Sequence, residues 1–190
     1  GIYATTDKGS TWYCKNNGLE HSIVRALINP CGDTLIAGTL GGGVYFSPDA
    51  GANWFKRNTG LTDLKIMTLT NNGTDIYAGT NFAGIFKTTD CGNTWIQINS
   101  GVPNLTIPVI MSQNGIVYAG TNGSGMLRSV DNGTSWEMIN NGIGTVIVKS
   151  LVGNGQYIYA GTSSSIFKST DNGLNWTNSG TGLPDVIIWG

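Results

Sequence analysis

Apolar residues along this chain gather in short runs of a few positions, parted by clusters of Gly, Asn, Ser and Thr. Inside a run, β-branched and aromatic residues alternate with polar ones at a period of two. Nowhere does an uninterrupted period of 3.6 residues extend far enough to predict a helix. The runs follow a fixed order. An aliphatic stretch such as Ile66 to Leu69 leads into a phrase ending Ala-Gly-Thr, which begins at Leu35, Ile76, Val117 and Ile158. An apolar triplet follows from Val44, Ile85, Met126 and Ile166, and then a strand that a tryptophan opens. Four short strands per unit, repeated in tandem, predict an all-β chain built as a β-propeller of four-stranded blades. The blades are expected at about 21–60, 63–101, 104–142 and 145–182, with a partial blade from 1–18 and 184–190.

The strongest repeat is an eight-residue phrase: TTDKGSTW from Thr5, SPDAGANW from Ser47, TTDCGNTW from Thr88, SVDNGTSW from Ser129 and STDNGLNW from Ser169, spaced 40 to 42 residues apart. It carries Asp7, Asp49, Asp90, Asp131 and Asp171, and it closes on Trp12, Trp54, Trp95, Trp136 and Trp176. In such a turn the carboxylate accepts backbone N–H groups, the Gly supplies a positive φ, the Ser, Thr or Asn bonds back to the loop, and the Trp packs between sheets. Read instead as catalytic acids or calcium ligands, five aspartates serving every unit alike would give five copies of one site. The structural role is the better reading.

The pattern S/T-x-D-x-G-x-T/S/N-W resembles the Asp box, or bacterial neuraminidase repeat, of a β-propeller family that includes sialidases, xyloglucan-cleaving endoglucanases, sortilin-type receptors and a photosystem II assembly factor. The AGT and GIF phrases look most like the secreted bacterial and photosystem-assembly branch. The resemblance covers essentially the whole chain and implies the fold, with the boxes at the periphery. It does not carry one activity, because propellers of this kind serve unrelated functions. It also suggests an extracellular or periplasmic location.

Composition narrows the function. Ten basic residues against eleven acidic ones, scattered singly, give a net charge of −1 and no basic stripe for a nucleic acid. Only 11% of residues are charged while 29 are Gly, a turn-rich composition. No apolar run reaches the length of a membrane-spanning helix. Cys14, Cys31 and Cys91 stand at non-equivalent repeat positions without CxxC spacing, and the single His offers no metal cluster, so no metal or cofactor is expected.

Strand alternation puts the turns before the first strand and after the second on the face opposite the boxes. His21, Asp63, Asn104, Thr145 and Asp185 share one position just before the innermost strand, where they either form a polar arc at the channel mouth or satisfy turn backbone groups. Asn81, Phe82, Asn122 and Ser163 to Ser165 add amides, hydroxyls and an aromatic ring to that face, suited to a protein or carbohydrate ligand. One further column varies as Arg25, Met67, Pro108, Lys149 and Trp189 beside constant aliphatic neighbours. Such variation marks either a channel lining or loose packing.

The three arginines, Arg25, Arg57 and Arg128, occupy different repeat positions and do not suit a sialidase triad. Asp63 and Asp185 are the one carboxylate pair left for a glycosidase. The expectation is therefore a non-catalytic binding scaffold or an extracellular structural subunit, with a xyloglucanase-like propeller fragment as the alternative. The chain opens with the third and fourth strands of a blade and ends with a first strand, so it reads as a segment of a larger propeller or as a subunit that self-assembles through open blade edges.

Overall fold

The computed structural model describes residues 1–183, in which there is no helix. The two-residue strands β1 (Tyr3–Ala4) and β2 (Tyr13–Cys14) pair as a small sheet. Four antiparallel four-stranded sheets follow in chain order. The first joins β3 (Val24–Cys31), β4 (Thr34–Thr39), β5 (Gly43–Ser47) and β6 (Phe55–Lys56). The second joins β7 (Ile66–Asn72), β8 (Asp75–Thr80), β9 (Ile85–Thr88) and β10 (Ile96–Gln97). The third joins β11 (Val109–Gln113), β12 (Ile116–Gly120), β13 (Met126–Ser129) and β14 (Glu137–Met138). The fourth joins β15 (Val148–Gly153), β16 (Ile158–Thr162), β17 (Ile166–Ser169) and β18 (Thr177–Asn178). Within each sheet every strand pairs with its neighbour in the chain, and the last strand is only two residues long.

The eight-residue phrase forms the turn between the third and fourth strands, and its atoms do what the residue types suggest. In the third sheet's turn the Ser129 hydroxyl donates to Asp131 Oδ1 at 2.7 Å and accepts the Gly133 N–H at 2.7 Å, while Asp131 Oδ1 and Oδ2 accept the Ser135 N–H and hydroxyl at 3.0 and 2.6 Å. The same set recurs around Asp7 and Asp90, and around Asp49 and Asp171 with the side-chain amide of Asn53 or Asn175 donating to Oδ2 in place of the hydroxyl. The residue before the Gly is left-handed in all five turns, as at Cys91 (φ 56°) and Asn132 (φ 56°). These bonds hold the carboxyls of Asp7, Asp90 and Asp131 down at about 2, first through the hydroxyl of Thr11, Thr94 or Ser135 and next through that residue's N–H.

The Ala-Gly-Thr phrase is explained by two contacts. Its Thr is buried and closes the loop to the third strand: Thr80 Oγ1 donates to the Gly84 carbonyl at 2.9 Å and accepts the Ala83 N–H at 3.0 Å, a pattern repeated at Thr39 and Thr121. Its Gly lets the next sheet approach, since a Cβ built at Gly38 would stand 2.5 Å from Ile66 Cγ2, and one at Gly120 2.7 Å from Val148. The core therefore lies between sheets. Tyr118, Met126, Val148, Phe167 and Trp176 form one such layer, and Ile36, Ile66, Ile76, Phe86 and Trp95 another.

Candidate functional site

The innermost strands β3, β7, β11 and β15 lie beside one another around a cavity of about 460 Å³. Its wall is set by a repeated irregularity of backbone. In β3 the register with β4 shifts between Val24 and Ala26, in β7 it shifts between Ile66 and Thr68, and in β15 between Val148 and Ser150. The residues skipped are Arg25, Met67 and Lys149. A bulge frees one residue from the ladder and re-aims its side chain, and all three line the cavity. At the matching place before β11 stands Pro108, which also lines it. Proline has no N–H to give, and a position outside the ladder requires none.

The cavity thus combines two cations, Arg25 and Lys149, with apolar wall from Met67 and Pro108 and polar groups from Thr106, Ser150, Asn81 and Asn122. Arg25 is exposed and Lys149 partly buried. None of the described residues lining the cavity is acidic. The Thr106 hydroxyl is committed to the Asn81 carbonyl at 2.6 Å.

The other sequence candidates sit just outside this wall. Asp63 Oδ1 accepts the Lys65 N–H at 2.9 Å and its Oδ2 the Phe82 N–H at 2.7 Å. Asn104 Oδ1 accepts the Thr106 N–H at 2.9 Å, and its amide donates to the Asn122 carbonyl at 2.9 Å. Both side chains therefore tie the turn before an inner strand to the loop between the second and third strands of the same sheet, and so satisfy turn backbone groups. His21 lies against the corresponding loop, where a Cβ at Gly42 would fall 2.5 Å from its ring. Phe82 projects outward, 65% exposed, with Lys65 Nζ 5.2 Å from its ring centre. Asp185 and Trp189 lie outside the described residues. Of the ligand candidates read from the sequence, Asn81 and Asn122 line the cavity. The variable column supplies the remaining chemistry, and its signal in the sequence was variation at one position inside a constant aliphatic frame.

Among the described residues no three His, Cys, Asp or Glu side chains come together in a way that could hold a metal ion. Cys14 and Cys91 are free and exposed. No described helix is long and apolar enough to cross a membrane. The three ion pairs among the described residues, Lys56 with Glu20, Lys87 with Asp75 and Arg128 with Glu137, all lie away from the cavity.

No family model and no curated protein matches this chain. Solved structures do match. The extracellular domain of a putative hybrid two-component system from B. thetaiotaomicron superposes with a TM-score of 0.74 at 18% identity, over 90% of this chain and 24% of that one. YCF48 bound to D1 peptide gives 0.70 at 16% identity, over 96% and 62%. The GH74 xyloglucanase from Xanthomonas campestris gives 0.70 at 18% identity, over 89% and 31%. The chain thus spans between about a quarter and three fifths of the length of these structures. At such identities the likeness shows the fold alone: the sheets are blades of a β-propeller, all-β throughout.

Proposed function

We propose that this chain is a non-catalytic Asp-box propeller module that holds a carboxylate-bearing polypeptide segment in its axial cavity. The observation that carries this reading is the bulge that turns the exposed Arg25 into one axial cavity with the amides of Asn81 and Asn122. A guanidinium fork offers charge-assisted, bidentate bonds to a carboxylate. The amides of Asn81 and Asn122 suit a peptide backbone, and Met67 and Pro108 an apolar side chain. A volume of about 460 Å³ is in the usual range of ligand pockets. YCF48, a structural neighbour, is seen with a peptide bound. A glycan is the less favoured ligand because the described lining has no aromatic ring on which a sugar face would stack. The bonds around the five repeated aspartates support the Asp-box assignment.

The xyloglucanase likeness favours a second reading, a fragment of a glycoside hydrolase. In this chain that reading needs Asp63 as one of two acids, and both Asp63 oxygens are already engaged by backbone N–H groups. Titration calorimetry with an acetylated Glu/Ala decapeptide and its Gln/Ala counterpart separates the two. The acidic peptide is expected to bind and the neutral one not, with Arg25→Ala weakening binding by roughly tenfold or more. Equal binding of both peptides by the two proteins sinks the reading. Sugar release from xyloglucan that Asp63→Asn abolishes establishes the hydrolase instead.

A further inference from the structure

Neighbouring units are held by one repeated joint, in which Nε1 of Trp54, Trp95, Trp136 and Trp176 donates to the carbonyl of Lys15, Arg57, Ile98 and Ile139 in the preceding unit, at 2.8, 3.0, 2.9 and 2.9 Å. The residue that gives its carbonyl places its side chain beside the Gly of the following turn. A Cβ built on Gly92 would lie 3.7 Å from Arg57 Cβ, and one on Gly133 or Gly173 would lie 2.5 or 2.6 Å from Cδ1 of Ile98 or Ile139. Three equivalent clefts thus run between the four sheets on the side of the Asp turns, and the chain fills them differently.

Between the first and second sheets the chain plugs the cleft itself. The Arg57 guanidinium lies over the Phe46 ring, 3.9 Å from its centre, and its Nη1 donates to Asn93 Oδ1. Between the third and fourth sheets Arg128 crosses the gap, donating from Nε to Glu137 Oε1 at 2.6 Å and from Nη1 to the Asn172 carbonyl at 3.2 Å. The hollow left there is lined by Arg128, Val130, Ser135, Trp136 and Glu137, all of the third unit.

Between the second and third sheets neither plug can form. Ile98 stands where Arg57 does, Thr134 where Asn93 does, and Lys87 where Phe46 and Arg128 do. The Lys87 ammonium is drawn inward, 2.6 Å from Asp75 Oδ2 and 3.0 Å from the Asn132 carbonyl, so that its stem serves as wall. What remains is an open cleft of about 260 Å³ with Ile96 and Ile98 on one side and Asn132, Gly133 and Thr134 on the other. The two sheets that form it are each flanked by another sheet, and among the described residues it shares none of its lining with the axial cavity.

We propose that this cleft is a binding site for a small uncharged aromatic molecule of one or two rings. In the plugged cleft the chain itself inserts a flat, delocalised group against an apolar face, and the open cleft keeps the place without the group. Ile98 and the 68% exposed Ile96 supply the apolar face. The Lys87 ammonium opposes a cationic ring and attracts the face of a neutral one. Since Asp75 already balances that charge, the cleft has no need of an anion. The exposed Thr89 hydroxyl at the edge can accept a hydrogen bond from a ring N–H or hydroxyl. A void of roughly 150 Å³ holds benzene, so about 260 Å³ leaves room for a second fused ring.

Titration of the isotope-labelled 190-residue chain with indole, followed through its amide resonances, tests this. Saturable shifts are expected at Ile96, Ile98, Gly133 and Thr134. Benzamidine and benzoate, rings carrying a positive and a negative charge, should bind at least roughly tenfold more weakly, because the cleft would have to desolvate their charges unpaired. The variant Lys87→Phe, Ile98→Arg and Thr134→Asn copies the plugged cleft and should lose indole binding while keeping a dispersed spectrum. Ile98→Arg alone places at this step the residue that Arg57 already provides one unit earlier, and serves if the triple variant does not fold. Shifts that fail to saturate or that centre on other residues, equal binding of either charged ring, or undiminished indole binding by a folded variant overturns the proposal.

Discussion

Five tryptophans share one motif, but only those with a blade before them are buried. Trp95 is 3% exposed and bonded to Arg57, whereas Trp12 is 60% exposed. Trp95→Ala is expected to cost about 3–5 kcal/mol, the range for deleting a buried aromatic side chain. In dilute solution Trp12→Ala should change stability by less than about 1 kcal/mol. Urea unfolding of the two variants checks the difference, and equal losses would contradict the burial described. At this scale the Asp, the Gly and the Trp of each eight-residue turn were legible in sequence because their repetition exposed a common role. Asn58, Asn99 and Asn140 were not singled out. Each stands four residues after a tryptophan and accepts the N–H of Val44, Ile85 or Met126 through Oδ1 while donating to the loop before it. The signal was present, an Asn at the same step in four units, and in the last unit Gly180 takes its place, with a different bond between Ser165 and Asn178.

Blade joints and bulges are properties of strands in pairs. Gly60 and Gly115 both have positive φ, at 90° and 78°, but a Cβ on Gly60 would meet the Trp95 carbonyl at 2.1 Å while Gly115 has open space. Gly115→Ala is expected to cost about 1 kcal/mol from backbone strain alone. Gly60→Ala must also push neighbouring blades apart and should cost more than about 3 kcal/mol. Comparable thermal midpoints for the two variants would show that the joint yields. The strand order within each sheet could be read from the order of apolar runs. The bulges could not, because a register slip of one residue leaves no mark on the alternation except at its own column. That is why His21, Asp63 and Asn104 drew attention ahead of Arg25 and Lys149: polar turn residues announce themselves, whereas a bulged residue looks like a misfit in a strand.

Across the whole molecule the carboxylates of the repeated turns act in concert. Asp7, Asp90 and Asp131 are held at about 2 in the folded chain against 3.8 in a free side chain. A carboxyl whose pKa is lowered by folding stabilises fully above its unfolded value, and that stabilisation is lost as pH falls toward the folded one. The urea midpoint should therefore be flat from about pH 5 to 8 and fall between about 4 and 2. The variant carrying Asp7→Asn, Asp90→Asn and Asp131→Asn should start less stable and fall less steeply, and an unchanged slope would place the titrating groups elsewhere. Sequential pairing has a further consequence, for the way the chain acquires its structure. Every described sheet is built from strands adjacent in sequence, and the tryptophan joints reach back only 37 to 39 residues. Loop closure is thus never long, and each unit finds its partners as soon as it and its predecessor exist. A chain of this kind can fold progressively during synthesis, each new blade templated on the one already formed.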